Sequence, residues 1–181
     1  MPMMVTLPFT WLRWVFQSSL SCLTSGLPIS SSVPAFSTPS GAPTLSPTLP
    51  MKVPCDAGSV LEADAQGDLR FSAARGPKAA ELMEASLVVP SGSGIAGFCA
   101  HEGVSVALSD VQKDPRYYAE ISRRVDYETR SVLASPMMTH GRTFGCVQLL
   151  NKKTSPVFEP HEVGILSYIA HQAALYLNAL S

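Results

Sequence analysis

Residues 131–150 read SVLASPMMTHGRTFGCVQLL, two largely apolar runs, Ser131 to Met138 and Thr143 to Leu150, around Thr139-His140-Gly141-Arg142. A polar linker containing glycine between two strand-length runs is the strongest hairpin signal in the chain. On its C-terminal side, Pro160 suits a first helical turn, and Val163, Leu166, Ala170, Ala173, Leu177 and Leu180 recur at steps of three and four. Ile165, Ile169 and Tyr176 form an adjoining stripe. A stripe this wide fits either one broad core face or two neighbours, the sheet on one side and a partner helix on the other.

On the N-terminal side the pattern is one of short elements. Ala57 to Ala63 and Asp68 to Ala73 read as strands around the turn residues Asp64-Ala65-Gln66-Gly67. A short helix is expected from Pro77 to Ala85, with Leu82 and Met83 inward, and a strand from Ser86 to Pro90. Ser91-Gly92-Ser93-Gly94 opens a helix from Ile95 to His101, closed by Gly103, and Val104 to Leu108 is the next strand. A loop from Ser109 to Asp114 leads to Pro115, taken as the start of a helix holding Tyr117, Tyr118, Ile121 and Val125. Six strands, short inserted helices and a long final helix predict an α+β fold, a mainly antiparallel six-stranded sheet flanked by helices.

Composition limits the function classes. The 181 residues carry a net charge of -1, so no general basic field draws the chain to nucleic acid or anionic lipid. Residues 1–50 contain one charged side chain, Arg13, and from Ser18 to Pro50 are rich in Ser, Thr and Pro. Such a segment buries too little apolar surface to offset its ordering entropy and is expected to be a disordered tail ahead of a domain over 51–181. A start upstream of the true one, at Met51, and a cryptic export signal are the alternatives. Met1 to Phe16 is too short to span a bilayer.

Cys22, Cys55, Cys99 and Cys146 show no CxxC or CxxH spacing, and His101, His140, His161 and His171 no metal-ligand spacing. Free thiols in a reducing cytoplasm, with no metal and no cofactor, are the expectation. The charges from Asp114 to Arg130 are nearly balanced and read as a solvated helix and loop. Gly94 marks the chemically suggestive position. A helix opening from a glycine-rich turn leaves its first N–H groups unpaired at its positive end, where an anion is stabilised. A plain strand-to-helix connection is the commoner use of such a turn. No Lys-Ser/Thr follows, so it is not a nucleoside-triphosphate loop.

In this order, Gly94-Ile95-Ala96-Gly97, Ser109-Asp110-Val111, Asp114-Pro115-Arg116-Tyr117, Tyr127-Glu128-Thr129-Arg130-Ser131 and Gly145-Cys146-Val147-Gln148-Leu149-Leu150-Asn151-Lys152 resemble the GAF domains of cyclic-nucleotide phosphodiesterases and of bacterial signalling proteins. The resemblance covers nearly everything after Cys55. It implies a regulatory sensor without a catalytic centre, binding a small molecule such as cAMP or cGMP and acting as a homodimer or on a signalling partner in trans. It places the backbone of Ile95 and Ala96 against a cyclic phosphate, Tyr118, Ser122 and Thr129 around base and ribose, Ser59 on the pocket floor and Gln148 facing inward. Ser122 and Gln148 stand where some binders carry acids. Arg75 falls at the pocket edge, with a solvated strand end as its plain alternative. The family's Lys–acid pair corresponds to Lys152 and Glu162, while the last acid of that signature is Val163 here. GAF domains ordinarily begin with a helix beside the C-terminal one, and nothing in residues 1–50 resembles it. Two alternatives accompany this reading: a dimerisation module without a ligand, and an enzyme like the free methionine sulfoxide reductases, whose cysteine motif is missing between Asp110 and Ser135.

Overall fold

The hairpin of residues 131–150 stands inside the sheet, with neither of its strands at an edge. In a computed structural model, which describes residues 53–181, β5 (Val132–Thr139) and β6 (Arg142–Lys152) pair antiparallel. Their connection is tighter than the four residues expected. Only His140 and Gly141 lie outside the strands, with φ of 51° and 74°, the two positive values that match a two-residue turn to the twist of its strands. Met137 pairs with Gly145 and Met138 with Thr143, so Phe144 is the extra residue of a bulge. Gly145 is obligatory there, at φ 137°, because a Cβ would run into the Leu61 carbonyl.

Around this hairpin stand β1 (Cys55–Ala63), β2 (Leu69–Arg75), β3 (Val88–Val89) and β4 (Val106–Leu108). The order is β3-β2-β1-β6-β5-β4, and every neighbouring pair is antiparallel. The strand expected over Ser86 to Pro90 shrinks to two residues, since Ser86 has a φ of 47° and leaves the extended region. The helices are α1 (Ala79–Glu84), α2 (Gly94–Glu102), α3 (Glu120–Arg124) and α4 (Pro160–Leu180). Residues 1–50 and the first helix sought there lie outside the described residues.

Two readings of the region after β4 need correction. The loop from Ser109 contains a 3-10 turn at Val111–Lys113, capped by the Asp110 carboxylate on Gln112 N–H at 3.2 Å. The helix expected from Pro115 begins only at Glu120. Asp114 explains the delay: its carboxylate accepts from Arg116 N–H at 2.9 Å and from the Arg116 guanidinium at 2.9 and 2.7 Å, holding the backbone in a side-chain-closed turn. Tyr117 and Tyr118 therefore lie on a loop.

Each face of the sheet carries its own core. On one face Leu166, Ala170, Ala173 and Ala174 of α4 pack on Leu133, Met137, Val147 and Leu149, the small alanines admitting the helix close to the strands. On the other, Ile95, Ala96, Cys99 and Ala100 of α2 meet Leu61, Leu69, Val132 and Cys146. Among the described residues α4 alone is long and apolar enough to cross a membrane, and that buried face shows it serving as a core helix. The broad stripe is only partly consumed by the sheet. Ile165, Ile169 and Leu177 are half-buried, Tyr168 is 59% and Leu180 60% exposed.

Two consecutive residues at the end of β6 fasten opposite sides. Asn151, at φ 54°, accepts from Arg130 and Ser131 N–H at 2.7 and 3.3 Å and donates to Glu128 O and Tyr127 Oη at 2.8 and 3.1 Å. Lys152 Nζ lies 2.7 Å from Glu162 Oε2 and 2.8 Å from Val157 O, and the same Glu162 oxygen accepts from Glu159 N–H. Both charged side chains are only 6% exposed. Removing one partner strands the other charge in a dry site. Glu162→Ala is expected to cost about 3–5 kcal/mol in denaturant unfolding, and the apolar pair Lys152→Met with Glu162→Leu to cost less than either single change.

Candidate functional site

On the face opposite α4, the first turn of α2, strands β1, β2 and β6, and the segment 109–130 enclose a cleft of two adjoining lobes. The first has about 540 Å³ of space open to solvent and the second about 460 Å³. Phe71, Ile121, Ser122, Thr129, Gln148 and Leu150 line both. Of the residues expected at a site, Ile95, Ala96 and Tyr118 border the first lobe, Ser59 and Arg75 the second, and Ser122, Thr129 and Gln148 the partition between them. Lys152 and Glu162 stand apart, on the α4 side.

Register positions the floor. Ser59 of β1 pairs with Gln148 of β6, and Gln148 Nε2 donates to Ser59 Oγ at 2.8 Å. Residues of the segment 109–130, the lid of the cleft, are likewise bonded to one another. Tyr117 Oη donates to Ser122 Oγ at 2.9 Å, and Ser122 Oγ lies 3.1 Å from Thr129 Oγ1. Polar groups that looked like independent ligand contacts thus form two short internal chains, which a ligand would have to join or replace.

At the first lobe, Ser93 precedes α2 without a side-chain cap, and the N–H groups of Gly94, Ile95 and Ala96 form no hydrogen bond among the described residues. Gly94 has a φ of 66°, and a Cβ on it would sit 2.9 Å from Tyr118 Cβ. The glycine therefore serves both the turn and the close seat of Tyr118 over the helix start. Arg116, held by Asp114, places its guanidinium 4.3 Å from the centre of the Phe98 ring, which pins the lid to α2. At its far end, Tyr127 Oη donates to Asp56 Oδ2 at 3.0 Å and accepts from Asn151, tying the lid to β1 and β6.

Charge states follow from these contacts. Hydrogen bonds from the Arg116 side chain and backbone hold the Asp114 carboxyl down at about 2. Burial, reinforced by the Asp56 carboxylate, pushes the Tyr127 hydroxyl well above its ordinary range. Burial, and then the Glu162 charge, raise the Cys55 thiol to about 12. Hydrogen bonding with Cys99 and complete burial keep Cys146 protonated. Neither Cys99 nor Cys146 lines a lobe, and a buried thiol held protonated, as Cys146 is, is a poor nucleophile. Among the described residues no three His, Cys, Asp or Glu side chains converge as metal ligands.

The fold agrees with the comparisons to known proteins. The family model for the GAF domain matches residues 51–177. The chain belongs to the GAF family. Over 68 residues, 37% of this chain and 8% of the relative, it is 37% identical to the dual 3',5'-cyclic-AMP and -GMP phosphodiesterase 11A of Takifugu rubripes. Over 81 residues, 44% of this chain and 7% of the relative, it is 31% identical to the cGMP-specific 3',5'-cyclic phosphodiesterase of Drosophila melanogaster. The match therefore spans under a tenth of each of these enzymes. Among solved structures, the GAF domain of a phosphoenolpyruvate-protein phosphotransferase from Coxiella burnetii superposes with a TM-score of 0.61 at 20% identity, covering 70% of this chain and 73% of that one. The type II free methionine-R-sulfoxide reductase of Thermoplasma acidophilum follows at 0.56 and 21%, covering 69% and 80%. At such identities these neighbours establish the fold alone.

Phe71, Tyr117 and Lys78 also line the cleft and were not expected there. Phe71 was readable as a strand residue, but its side depends on the register shift between Val60 and Leu61. Tyr117 was assigned to a helix that starts later, and nothing local marks Lys78.

Two outcomes test this geometry. Gly94→Ala should lower stability by about 1–2 kcal/mol, since alanine must occupy a left-handed conformation, and should speed proteolysis within 109–130. The Asp114 latch has the opposite sign from a histidine switch: a folded value below the ordinary 3.8 contributes stability above that pH, lost as pH falls towards about 2. Hydrogen exchange in the lid should therefore accelerate across that window in the parent and be independent of it in Asp114→Asn.

Proposed function

We propose that this GAF module is a non-catalytic regulatory sensor whose cleft takes a small organic anion, in the first place a cyclic nucleotide, with its phosphate at the first turn of α2. The observation that carries this is the uncapped set of Gly94, Ile95 and Ala96 N–H groups opening into a lobe bordered by Phe71, Tyr117 and Tyr118. Backbone donors at a positive helix end suit a phosphodiester, and the aromatic rings suit a base. Two of the relatives are named for cyclic nucleotides as their substrates, which adds weight. Ligand binding would close the lid, and Asn151 and Lys152 offer a direct route from lid to α4. The three buried free cysteines Cys55, Cys99 and Cys146 favour a reducing, cytoplasmic setting.

A second reading rests on α4. Tyr168, Leu175 and Leu180 are exposed beside half-buried Ile165 and Ile169, an apolar surface of the kind that a second copy of the chain or a signalling partner covers. Sensing and homodimerisation are compatible, and the dimer alone is the ligand-free alternative.

Thermal denaturation with cAMP and cGMP separates these possibilities. A specific nucleotide at a hundred times its dissociation constant should add about 2.7 kcal/mol, and hydrogen exchange should slow in both 109–130 and α4. Stabilisation by neither nucleotide would refute the cyclic-nucleotide assignment. Light scattering that reports a dimer irrespective of nucleotide would then favour the dimerisation module. Turnover of free methionine-R-sulfoxide with dithiothreitol would overturn the non-catalytic reading; none is expected.

A further inference from the structure

The charge of the cleft is confined to one end. No residue lining the first lobe is charged, whereas the second is lined by Arg75 and Lys78 and by no carboxylate. A chain of net charge -1 does not place two cations on one small cavity through general basicity. The Arg75 guanidinium makes no hydrogen bond or ion pair among the described residues. Lys78 has only an exposed contact with Glu81, at 3.4 Å and three residues away, the kind of pair that contributes little and yields readily to a better partner. Asp56, beside the lining residue Ala57, is engaged elsewhere, its carboxylate accepting from Tyr127 Oη.

The backbone that carries the two cations is fixed by the sheet and by Gly76. Arg75 ends β2 in register with Gly58 of β1. Gly76 follows at φ 128°, and a Cβ on it would stand 2.6 Å from Ala57 Cβ. Only glycine lets the chain turn this closely against β1, and Pro77 restricts the next step before Lys78. Beneath them, Ser59 and Gln148 supply a polar floor and Leu82 and Val125 an apolar wall.

We infer that the second lobe is an anion subsite, in which Arg75 and Lys78 hold a carboxylate or phosphate group of a small organic anion. The cleft then suits an elongated ligand, with one group at α2 and an anionic group at the far end, rather than a molecule filling the first lobe alone. This deepens the sensor reading and rests on the cleft being a ligand site, but does not require that ligand to be a cyclic nucleotide.

The test is a residue-resolved NMR titration of the full chain with inorganic phosphate, with phenylacetate and with its neutral isostere phenylacetamide, cGMP serving as an independent probe of the first lobe. Phosphate or phenylacetate should give saturable shifts at Arg75 to Ala79, with phenylacetate preferred over the amide by about tenfold, the scale of a charge-assisted hydrogen bond. The double variant Arg75→Gln, Lys78→Gln should abolish that preference with an unchanged melting temperature, and Arg75→Lys should retain it. No saturable shift with either anion, a preference surviving the double variant, or shifts confined to Gly94–Ala96 would each overturn the subsite. Failure of cGMP to bind would sink the cyclic-nucleotide assignment and leave this result standing.

Discussion

The end of β6 is the constraint on which both sides of the molecule depend. Strict alternation from Leu149 on the α4 side and Leu150 in the cleft would carry Lys152 towards the cleft. The left-handed Asn151, at φ 54°, breaks it, so that Asn151 reaches the lid while Lys152 reaches α4. Four hydrogen bonds to one buried amide settle where the lid rejoins the sheet, and one dry ion pair settles where the last helix begins. The Asn151 fastening is not interchangeable with an apolar contact, because it satisfies backbone groups that would otherwise go unpaired. A displacement of β6 by one residue would carry both side chains away from their partners.

Much of this was legible beforehand, for identifiable reasons. The β5–β6 hairpin and α4 announce themselves through periodicity and punctuation, signals that depend on many residues and tolerate local exceptions. The GAF resemblance directed attention to residues that the structure gathers around one cleft. What escaped was set by single side chains acting on the backbone. Asp114 captures Arg116 and postpones α3 by five residues relative to Pro115, and Ser86 at positive φ shortens β3. Asn151 at φ 54° was visible as part of a motif, but its role as a four-bonded clasp is invisible to hydropathy. The division of the cleft into a neutral and a cationic lobe needed the register of β1 with β2 and β6.

The cleft and α4 raise different physical problems. In the cleft, Ser59, Gln148, Tyr117, Ser122 and Thr129 are already hydrogen-bonded to one another, so an entering ligand exchanges protein–protein bonds for protein–ligand ones and gains little from each. Affinity must then come largely from uncommitted groups, the α2 N–H set at one end and the cations at the other. On α4 the imbalance is apolar. The sheet covers the side of Leu166, Ala170 and Ala173 and leaves Tyr168 and Leu180 in water.

The strand pairing also fixes how the module bears load. Cys55, at the start of β1, lies against Lys152, and that same residue anchors the beginning of α4. The far end of α4 comes back to the opposite end of β6, where Arg142 donates to Ser181 Oγ at 3.4 Å. The start of β1 and the end of α4 are therefore separated by about the length of α4, ~30 Å, along the strands rather than across them. Inter-strand hydrogen bonds run perpendicular to that line. A load applied at the start of β1 would therefore meet its bonds to β2 and β6 in shear, whereas a load applied at the end of α4 would meet only the packing of that helix on the sheet.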